Sequence, residues 1–381
     1  MTIGPTHSYL KTGLSKGFSK EKLLTILESS HEKESKSLSY IHSLKHISHI
    51  TGVHYIVLRN IVLRNSNPYL VYNLKKKVSG YRDISSPNDD LKLVQKWIAQ
   101  NILINIEPHW RCYSYHKGAS IIKCAQEHVE SKWLIKLDIN NFFGSIQESQ
   151  VYDVFKSQNY NSLVSFEMAR LCTINTEFDH SSSIKHWVKY RNKRSTSPYS
   201  SLKIKRFGHL PQGSPTSPHL SNIIFKSADI ELQSIAQRYS LVYTRYSDDL
   251  SFSTGDKKFN RKHAKAFITE VSKILKKHHY QLNSKKTKII PPSKSKVILG
   301  LNVDGDTPKL TKSFKQRLNF HIRGIQEFGI IEHSQHSHFN SIFGMINIIS
   351  GKINFAKSVD INYGNKTELI FKKILQQEGL I

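Results

Sequence analysis

The spacing of apolar positions changes character several times along the chain, and each change predicts a different element. Over the first 65 residues, Leu23, Leu24, Ile26 and Leu27, then Leu44, Ile47 and Ile50, recur at helical intervals. Residues 69–84 shift toward strands, interrupted by the basic triplet Lys75-Lys76-Lys77. Residues 91–106 return to helix, with Leu93, Trp97 and Leu103 among the apolar positions. The run Trp133-Leu134-Ile135-Lys136-Leu137-Asp138-Ile139 predicts a buried strand, and Ser145-Ile146-Gln147-Glu148 has capping-box spacing that predicts a helix start.

Further on, Ser217-Pro218 predicts an N-cap with proline at the first helical position, followed by Leu220, Ile223, Ile224 and Ala228 at helical spacing. Two strands around Ser247-Asp248-Asp249 predict a hairpin. Ala264, Phe267, Ile268, Val271, Ile274 and Leu275 mark an amphipathic helix. Pro291-Pro292 is a break, residues 297–303 read as one strand, and residues 313–381 as mostly helical and basic. An α/β centre flanked by helical elements is an α+β architecture. Residues 175–206 stand apart: they are poor in apolar residues and carry Ser181-Ser182-Ser183 and Arg191-Asn192-Lys193-Arg194. They predict an exposed insertion that either touches nucleic acid or is simply solvated.

Charge changes the picture. Of 381 residues, 38% are hydrophobic, enough for a core and two or three small domains. Lys and Arg number 56 against 29 acids, a formal +27. Such an excess repels itself and calls for an anionic partner, with nucleic acid the leading candidate. Cys112, Cys124 and Cys172 are widely spaced without a CxxC pair, which argues against a disulfide framework or zinc ribbon and for a reducing compartment. No signal-like or membrane-length apolar run occurs, so the expectation is a soluble cytoplasmic protein with no membrane partner. The 20 histidines form no metal spacing, and His278-His279 read as the outer end of a helix. The four tryptophans, Trp97 and Trp133 among them, read as core rather than base-stacking platforms.

The carboxylates carry the chemistry. Asp138 lies near the end of an apolar strand, where packing alone would not choose a charge. Asp248 and Asp249 repel each other at a predicted hairpin tip, and a divalent cation would relieve them. Magnesium suits such hard oxygen donors, and two-metal phosphoryl transfer needs a cluster of them. Taken alone, an Asp-Asp pair is a weak signal, since a solvated turn is the commoner reading.

The surrounding residues are more specific. Tyr246-Ser247-Asp248-Asp249 resembles the tyrosine-x-Asp-Asp signature of reverse transcriptases, and Asp138-Ile139-Asn140-Asn141-Phe142-Phe143-Gly144-Ser145-Ile146 resembles their first catalytic motif. Leu210-Pro211-Gln212-Gly213-Ser214-Pro215-Thr216-Ser217-Pro218 resembles the family's LPQG-x-x-x-SP element. Arg82-Asp83-Ile84-Ser85-Ser86-Pro87, with Leu91-Lys92 and Gln95, is similar to the fingers motif. Lys285-Lys286-Thr287-Lys288 is similar to the Lys-Thr element, and Ile298-Leu299-Gly300-Leu301 to the strand that grips the primer end. The similarity runs over residues 81–303, with weaker traces to Ala356.

The resemblance implies a right-hand polymerase fold: an N-terminal helical extension (1–65), fingers (66–132), palm (133–303, with the insertion at about 175–206) and helical thumb (304–381). It implies that Asp138, Asp248 and Asp249 are the catalytic acids and, with Ile139, hold two magnesium ions, or manganese in their place. Phe143 becomes a steric gate against a ribose 2′-hydroxyl, with a core phenylalanine as the plainer alternative. Arg82 would hold the deoxynucleoside triphosphate, Gln212 line its pocket and Gly213 admit close backbone approach. Lys286 serves the pyrophosphate or is a surface lysine. Lys75, Lys76 and Lys77 contact template or triphosphate or form a solvated turn, and Arg191, Lys193 and Arg194 are the nucleic-acid contacts of the insertion.

Among reverse transcriptases, the short segment after Gly300 leaves room for a thumb and little more, and residues 210–218, 243–253 and 283–287 resemble bacterial retron enzymes. That implies a cognate structured non-coding RNA, primed from an internal guanosine 2′-hydroxyl to give a branched RNA–DNA product. It also implies anti-phage defence with a separate effector protein. The chain departs from the retron pattern at Val297-Ile298-Leu299-Gly300, where Val-Thr-Gly is usual, at Ser247 in place of alanine, and in its long 175–206 segment. Diversity-generating or abortive-infection reverse transcriptases, and a non-catalytic RNA-binding scaffold, are the competing readings.

Overall fold

Helical spacing in the first 65 residues produces four helices: α1 (Thr6–Ser15), α2 (Lys20–Ser35), α3 (Leu44–Thr51) and α4 (Tyr55–Val62). Ser43 caps α3 by accepting from the His46 N–H, and Gly52, at φ 73°, ends it in the left-handed conformation that glycine adopts without strain. The computed structural model describes residues 6–35, 38–75, 81–175 and 207–380. They form two compact units, the first comprising residues 1–118, 138–233 and 271–283 and the second the remainder.

In the first unit, β1 (Tyr69–Lys75) and β2 (Tyr81–Pro87) pair antiparallel from Tyr69↔Pro87 to Lys75↔Tyr81. Helix α5 (Asp89–Asn101) starts two residues before the sequence suggests. Asn88 accepts from the Leu91 N–H, and Asp89 and Asp90 lie in the first turn, where the helix dipole favours acids. Helix α7 (Glu148–Ser157) does have a capping box, but it is formed by Gln147 and Gln150 rather than by Ser145 and Glu148. Glu148 is instead fully buried in an ion-pair network. Helix α8 (Ser162–Cys172) leads into β4 (Ile174–Asn175), which pairs with β5 (Gly208–His209). Helix α9 (Ser217–Arg238) already includes Ser217, whose buried hydroxyl finds no hydrogen-bond partner among the described residues, so the expected serine cap is not made.

The second unit is built around an antiparallel sheet in the order β6-β7-β3-β8, formed by β3 (Trp133–Asp138), β6 (Val242–Tyr246), β7 (Asp249–Thr254) and β8 (Lys288–Ile290). Helix α6 (Ile121–Gln126) precedes β3. The amphipathic stretch forms α10 (Arg261–Lys277), with Ala264, Phe267, Val271 and Leu275 fully buried. Phe267 meets Phe252 of β7 edge-on at 4.8 Å, and each such side chain is worth about 1.5–3 kcal/mol of burial. Residues 297–303 are not one strand. Leu299 and Gly300 both take positive φ (47° and 87°), so the chain reverses between β9 (Val297–Ile298) and β10 (Leu301–Asn302), which pairs in turn with β11 (Lys309–Leu310).

The C-terminal segment is helical as expected, with α11 (Lys312–His336), α12 (Ile342–Val359) and α13 (Ile361–Gln377). Helix α11 is interrupted at Gly329 (φ 82°, ψ 166°). His321 Nδ1 and His333 Nε2 lie 3.1 Å apart, whereas twelve residues of straight helix span about 18 Å. The chain therefore doubles back at that glycine. No described helix is long and apolar enough to cross a membrane.

Candidate active site

Asp138 is the last residue of β3, and its side chain is only 6% exposed. The Lys132 N–H donates to Thr254 O at 2.8 Å, so β3 begins beside the end of its neighbour β7 and runs toward the start of β7. That start is Asp249. Tyr246 pairs with Asp249, leaving Ser247-Asp248 as a two-residue turn with Ser247 at φ 58°. One sheet thus carries an acid at a strand end and two more at the hairpin tip of the same edge.

Each acid rests on a built support. Beyond β3 the chain continues to pair: the Asn140 N–H donates to Gln281 O and the Asn283 N–H to Asp138 O, both at 2.8 Å. Ile139 is buried and bridges Leu282. Asn283 Nδ2 also donates to Asp138 Oδ1 at 3.1 Å, orienting the carboxylate from a position 145 residues away in sequence. Under the hairpin, the fully buried Arg245 donates through Nη1 to Ser247 O at 3.2 Å. The buried His128 ring bridges Ser253 Oγ and Thr244 Oγ1, each at 2.7 Å, and Cys124 Sγ donates to the same Thr244 oxygen. Asn283 and Arg245 lie inside segments that the resemblance marks, but their supporting roles, and His128 altogether, carried no signal in the sequence; the partners of Asn283 and His128 come from distant segments.

Phe142 and Phe143 divide the two roles an aromatic could have here. Phe142 is core, its ring 5.5 Å from Phe225 and 5.8 Å from Tyr280, while Phe143 stays half-buried. Gln212 O accepts from the Ser85 N–H at 2.7 Å, tying the 210–213 stretch to β2. Gly213 has φ 123°, and a Cβ there would lie 3.0 Å from Ile84 Cγ2 and 3.1 Å from Ser85 O. Glycine is thus required by close approach to β2. Behind this contact Gln95, fully buried, donates to the Tyr69 hydroxyl and Leu171 O and accepts from Ser214 Oγ. Arg82 is exposed on β2 opposite Leu74, so the structure brings Arg82, Gln212 and Gly213 onto one supported strand and loop.

Lys286 is exposed after the second pairing segment, and Lys75 is exposed at the end of β1. Lys76, Lys77, Arg191, Lys193 and Arg194 lie outside the described residues. His278 and His279 sit at the outer end of α10 as expected, the His278 N–H still donating to Ile274 O at 3.2 Å. His278 Nε2 sits 2.9 Å from Glu231 Oε1, and Lys277 together with His278 lowers the Glu231 pKa. All three cysteines are buried and unlinked, and burial pushes the Cys172 thiol up to about 12. The tryptophan expectation needs one correction: Trp110 is 62% exposed.

Among the described residues no three His, Cys, Asp or Glu side chains form a ready-made metal cage. The donors on offer are aspartate oxygens, which suit magnesium, an ion commonly held by one or two carboxylates with water and substrate phosphates completing its shell.

The fold is that of a right-hand polymerase, and its antiparallel sheet carries acids at one strand end and at a neighbouring hairpin turn, donors of the type that divalent ions take. The chain belongs to the reverse transcriptase (RNA-dependent DNA polymerase) family, whose model matches residues 74–303, and it is of the bacterial retron type. It is 29% identical over 266 residues to the retron Ec86 reverse transcriptase of Escherichia coli, covering 69% of this chain and 72% of that one. It is 27% identical over 315 residues to the retron Ec73 reverse transcriptase of the same species, covering 80% and 87%. The retron Mx162 reverse transcriptase of Myxococcus xanthus is 24% identical over 243 residues, covering 62% and 47%. Among solved structures, telomerase from Candida albicans in complex with the TWJ fragment of telomeric RNA aligns with a TM-score of 0.42 at 11% identity, over 80% of this chain and 56% of that one.

Proposed function

We propose that this RNA-directed DNA polymerase serves a retron, copying a cognate structured non-coding RNA into a branched RNA–DNA molecule. The observation that carries the reading is the sheet edge shared by Asp138 at the end of β3, Asp248 in the turn after β6 and Asp249 at the start of β7. Similarity to three retron reverse transcriptases supports the finer assignment.

In this reading the carboxylates of Asp138, Asp248 and Asp249, with the Ile139 carbonyl, hold two divalent ions, magnesium or manganese. Bound there, such ions activate an attacking hydroxyl and neutralise a leaving pyrophosphate. The protein's own residues do the positioning. Asn283 fixes the Asp138 carboxylate, and Arg245 and His128 stiffen the hairpin that presents the other two acids. The Arg82 guanidinium takes triphosphate oxygens, Gln212 and Gly213 line the nucleotide pocket, and the Phe143 ring crowds a ribose 2′-hydroxyl. Lys286 adds positive charge for the pyrophosphate. Lys75, Lys76, Lys77, Arg191, Lys193 and Arg194 contact the nucleic-acid backbone. Residues 66–132, 133–303 and 304–381 act as fingers, palm and thumb behind the extension at 1–65. The enzyme works in the cytoplasm with a separate effector protein in anti-phage defence.

The test is to purify the protein from cells carrying its native locus and to sequence the nucleic acid that survives ribonuclease. A defined short DNA joined to a branched RNA is expected, and it disappears in the Asp248→Asn plus Asp249→Asn double variant. Unbranched DNA would move the enzyme to another bacterial reverse transcriptase class. RNA without DNA would count against polymerisation altogether.

A further inference from the structure

The segment at residues 107–118 of the first unit holds a tryptophan out into solvent on a rigid support. The Cys112 N–H donates to His109 O at 2.9 Å, closing a turn whose outer residues, His109 and Cys112, are both buried. Its two central residues are Trp110 and Arg111. The Arg111 guanidinium carbon sits 3.9 Å from the centre of the Trp110 ring, a stacked cation–π contact, while the indole remains mostly exposed. Packing does not account for this, because tryptophan is normally well buried and the residues that close the turn, His109 and Cys112, are.

The turn is anchored on three sides. Lys226 Nζ donates to Glu107 O at 3.1 Å, Asn222 Nδ2 donates to Ser114 O at 2.6 Å, and a His116 ring nitrogen lies 2.8 Å from Cys112 O. Further along, Tyr115 is exposed in the left-handed region (φ 54°), followed by the exposed Lys117. An indole pre-stacked on a guanidinium, with lysines on the same segment and on the helix beneath it, combines a π-face with positive charge.

We propose that Trp110, backed by Arg111, is a stacking platform for an unpaired base of single-stranded RNA. Any base offers a π-face to the indole, and the cations take the adjoining phosphates. A base already stacked inside a duplex cannot insert there, so the platform selects unpaired strand. The net charge of +27 makes RNA, rather than a protein, the occupant the surface fits. The inference rests on the RNA-copying reading above for its supply of RNA.

The experiment is equilibrium binding of the full-length protein, at fixed salt, to an unstructured oligoribonucleotide and to an RNA–DNA hybrid of equal length. Trp110→Ala should weaken single-strand binding by about 5- to 150-fold, the range one base–aromatic stack spans, and leave hybrid binding unchanged. Trp110→Tyr should stay close to the parent, and both variants should melt with it. Unchanged single-strand affinity in Trp110→Ala, equal loss on both ligands, or a Trp110→Tyr variant as weak as the alanine one each overturn the platform. So does release of a co-purifying protein with RNA binding intact, which would make the surface a protein-docking site. Extension of a primed RNA template by the same preparations separates the two readings. A parent enzyme that does not extend would sink polymerisation alone, and active variants with unchanged RNA binding would sink the platform alone.

Discussion

Arg64 Nη2 donates to Glu148 Oε2 at 2.6 Å with both side chains buried, joining the second residue beyond α4 to the first residue of α7. Arg170 Nε takes the other carboxylate oxygen at 2.8 Å, and Arg64 also reaches Thr173 O at 2.7 Å. Gly208, which leads into the 210–213 stretch, packs on this cluster so closely that a Cβ would lie 2.7 Å from Arg64, Glu148 and Thr173 alike. Removing one member strands buried charge on the others. Glu148→Ala is therefore expected to lower the unfolding free energy by about 3–5 kcal/mol in urea titration. Lys309→Ala, which breaks an exposed pair with Asp306, should leave the midpoint where it was. Equal midpoints for the two variants would refute this ranking.

That network shows where sequence reading stops. Long periodic segments were legible, as Ala264, Phe267, Val271 and Leu275 show by lining the buried side of α10. The placement of Asp138 at a strand end and of Asp248 in a hairpin turn, and the close approach at Gly213, were legible too, since motifs compress local geometry into short strings. Pairings across the chain were not. Nothing in Asn283 announces that it will hold Asp138, and Glu148 reads as a helix-start acid until Arg64 and Arg170 arrive from elsewhere. The 297–303 hairpin was missed for a different reason. Leu299 is a poor candidate for positive φ, so the alternation there reads as one strand until pairing of Ile298 with Leu301 imposes the turn.

The two adjacent phenylalanines make a second contrast. Phe142→Ala empties a buried aromatic cluster with Phe225 and Tyr280 and should cost about 3–5 kcal/mol of stability. Phe143→Ala should leave stability nearly intact and raise ribonucleotide incorporation relative to deoxyribonucleotide on the order of ten-fold. Single-nucleotide extension with matched rNTP and dNTP measures it. Unaltered discrimination in Phe143→Ala would return that ring to a packing role.

Positive charge should be visible in binding. With a formal +27, RNA association is expected to be driven by release of condensed counterions. If six or more phosphates are engaged, affinity falls about 10³-fold or more between roughly 50 and 200 mM salt. A titration series across that interval gives the slope directly, and a flat response would mean that the basic surface is not where RNA binds.

The histidine pair at the Gly329 reversal predicts a pH response with a definite sign. His333 Nε2 lies 3.1 Å from His321 Nδ1 and 3.3 Å from Ser337 Oγ. Burial first, then the positive charge of Lys352 and the facing His333, holds His321 down at about 4, and burial with His336 lowers His333. An unfolded histidine titrates near 6.5. On acidification the unfolded chain therefore takes up its proton first, and the folded state loses stability as pH falls from about 6.5 toward 4 and levels off below. Replacing the ring removes that contribution, so His321→Asn should lose less melting temperature across this window than the parent does. Scanning calorimetry at a series of pH values compares the two slopes, and parallel slopes would show that this pair does not supply the acid sensitivity.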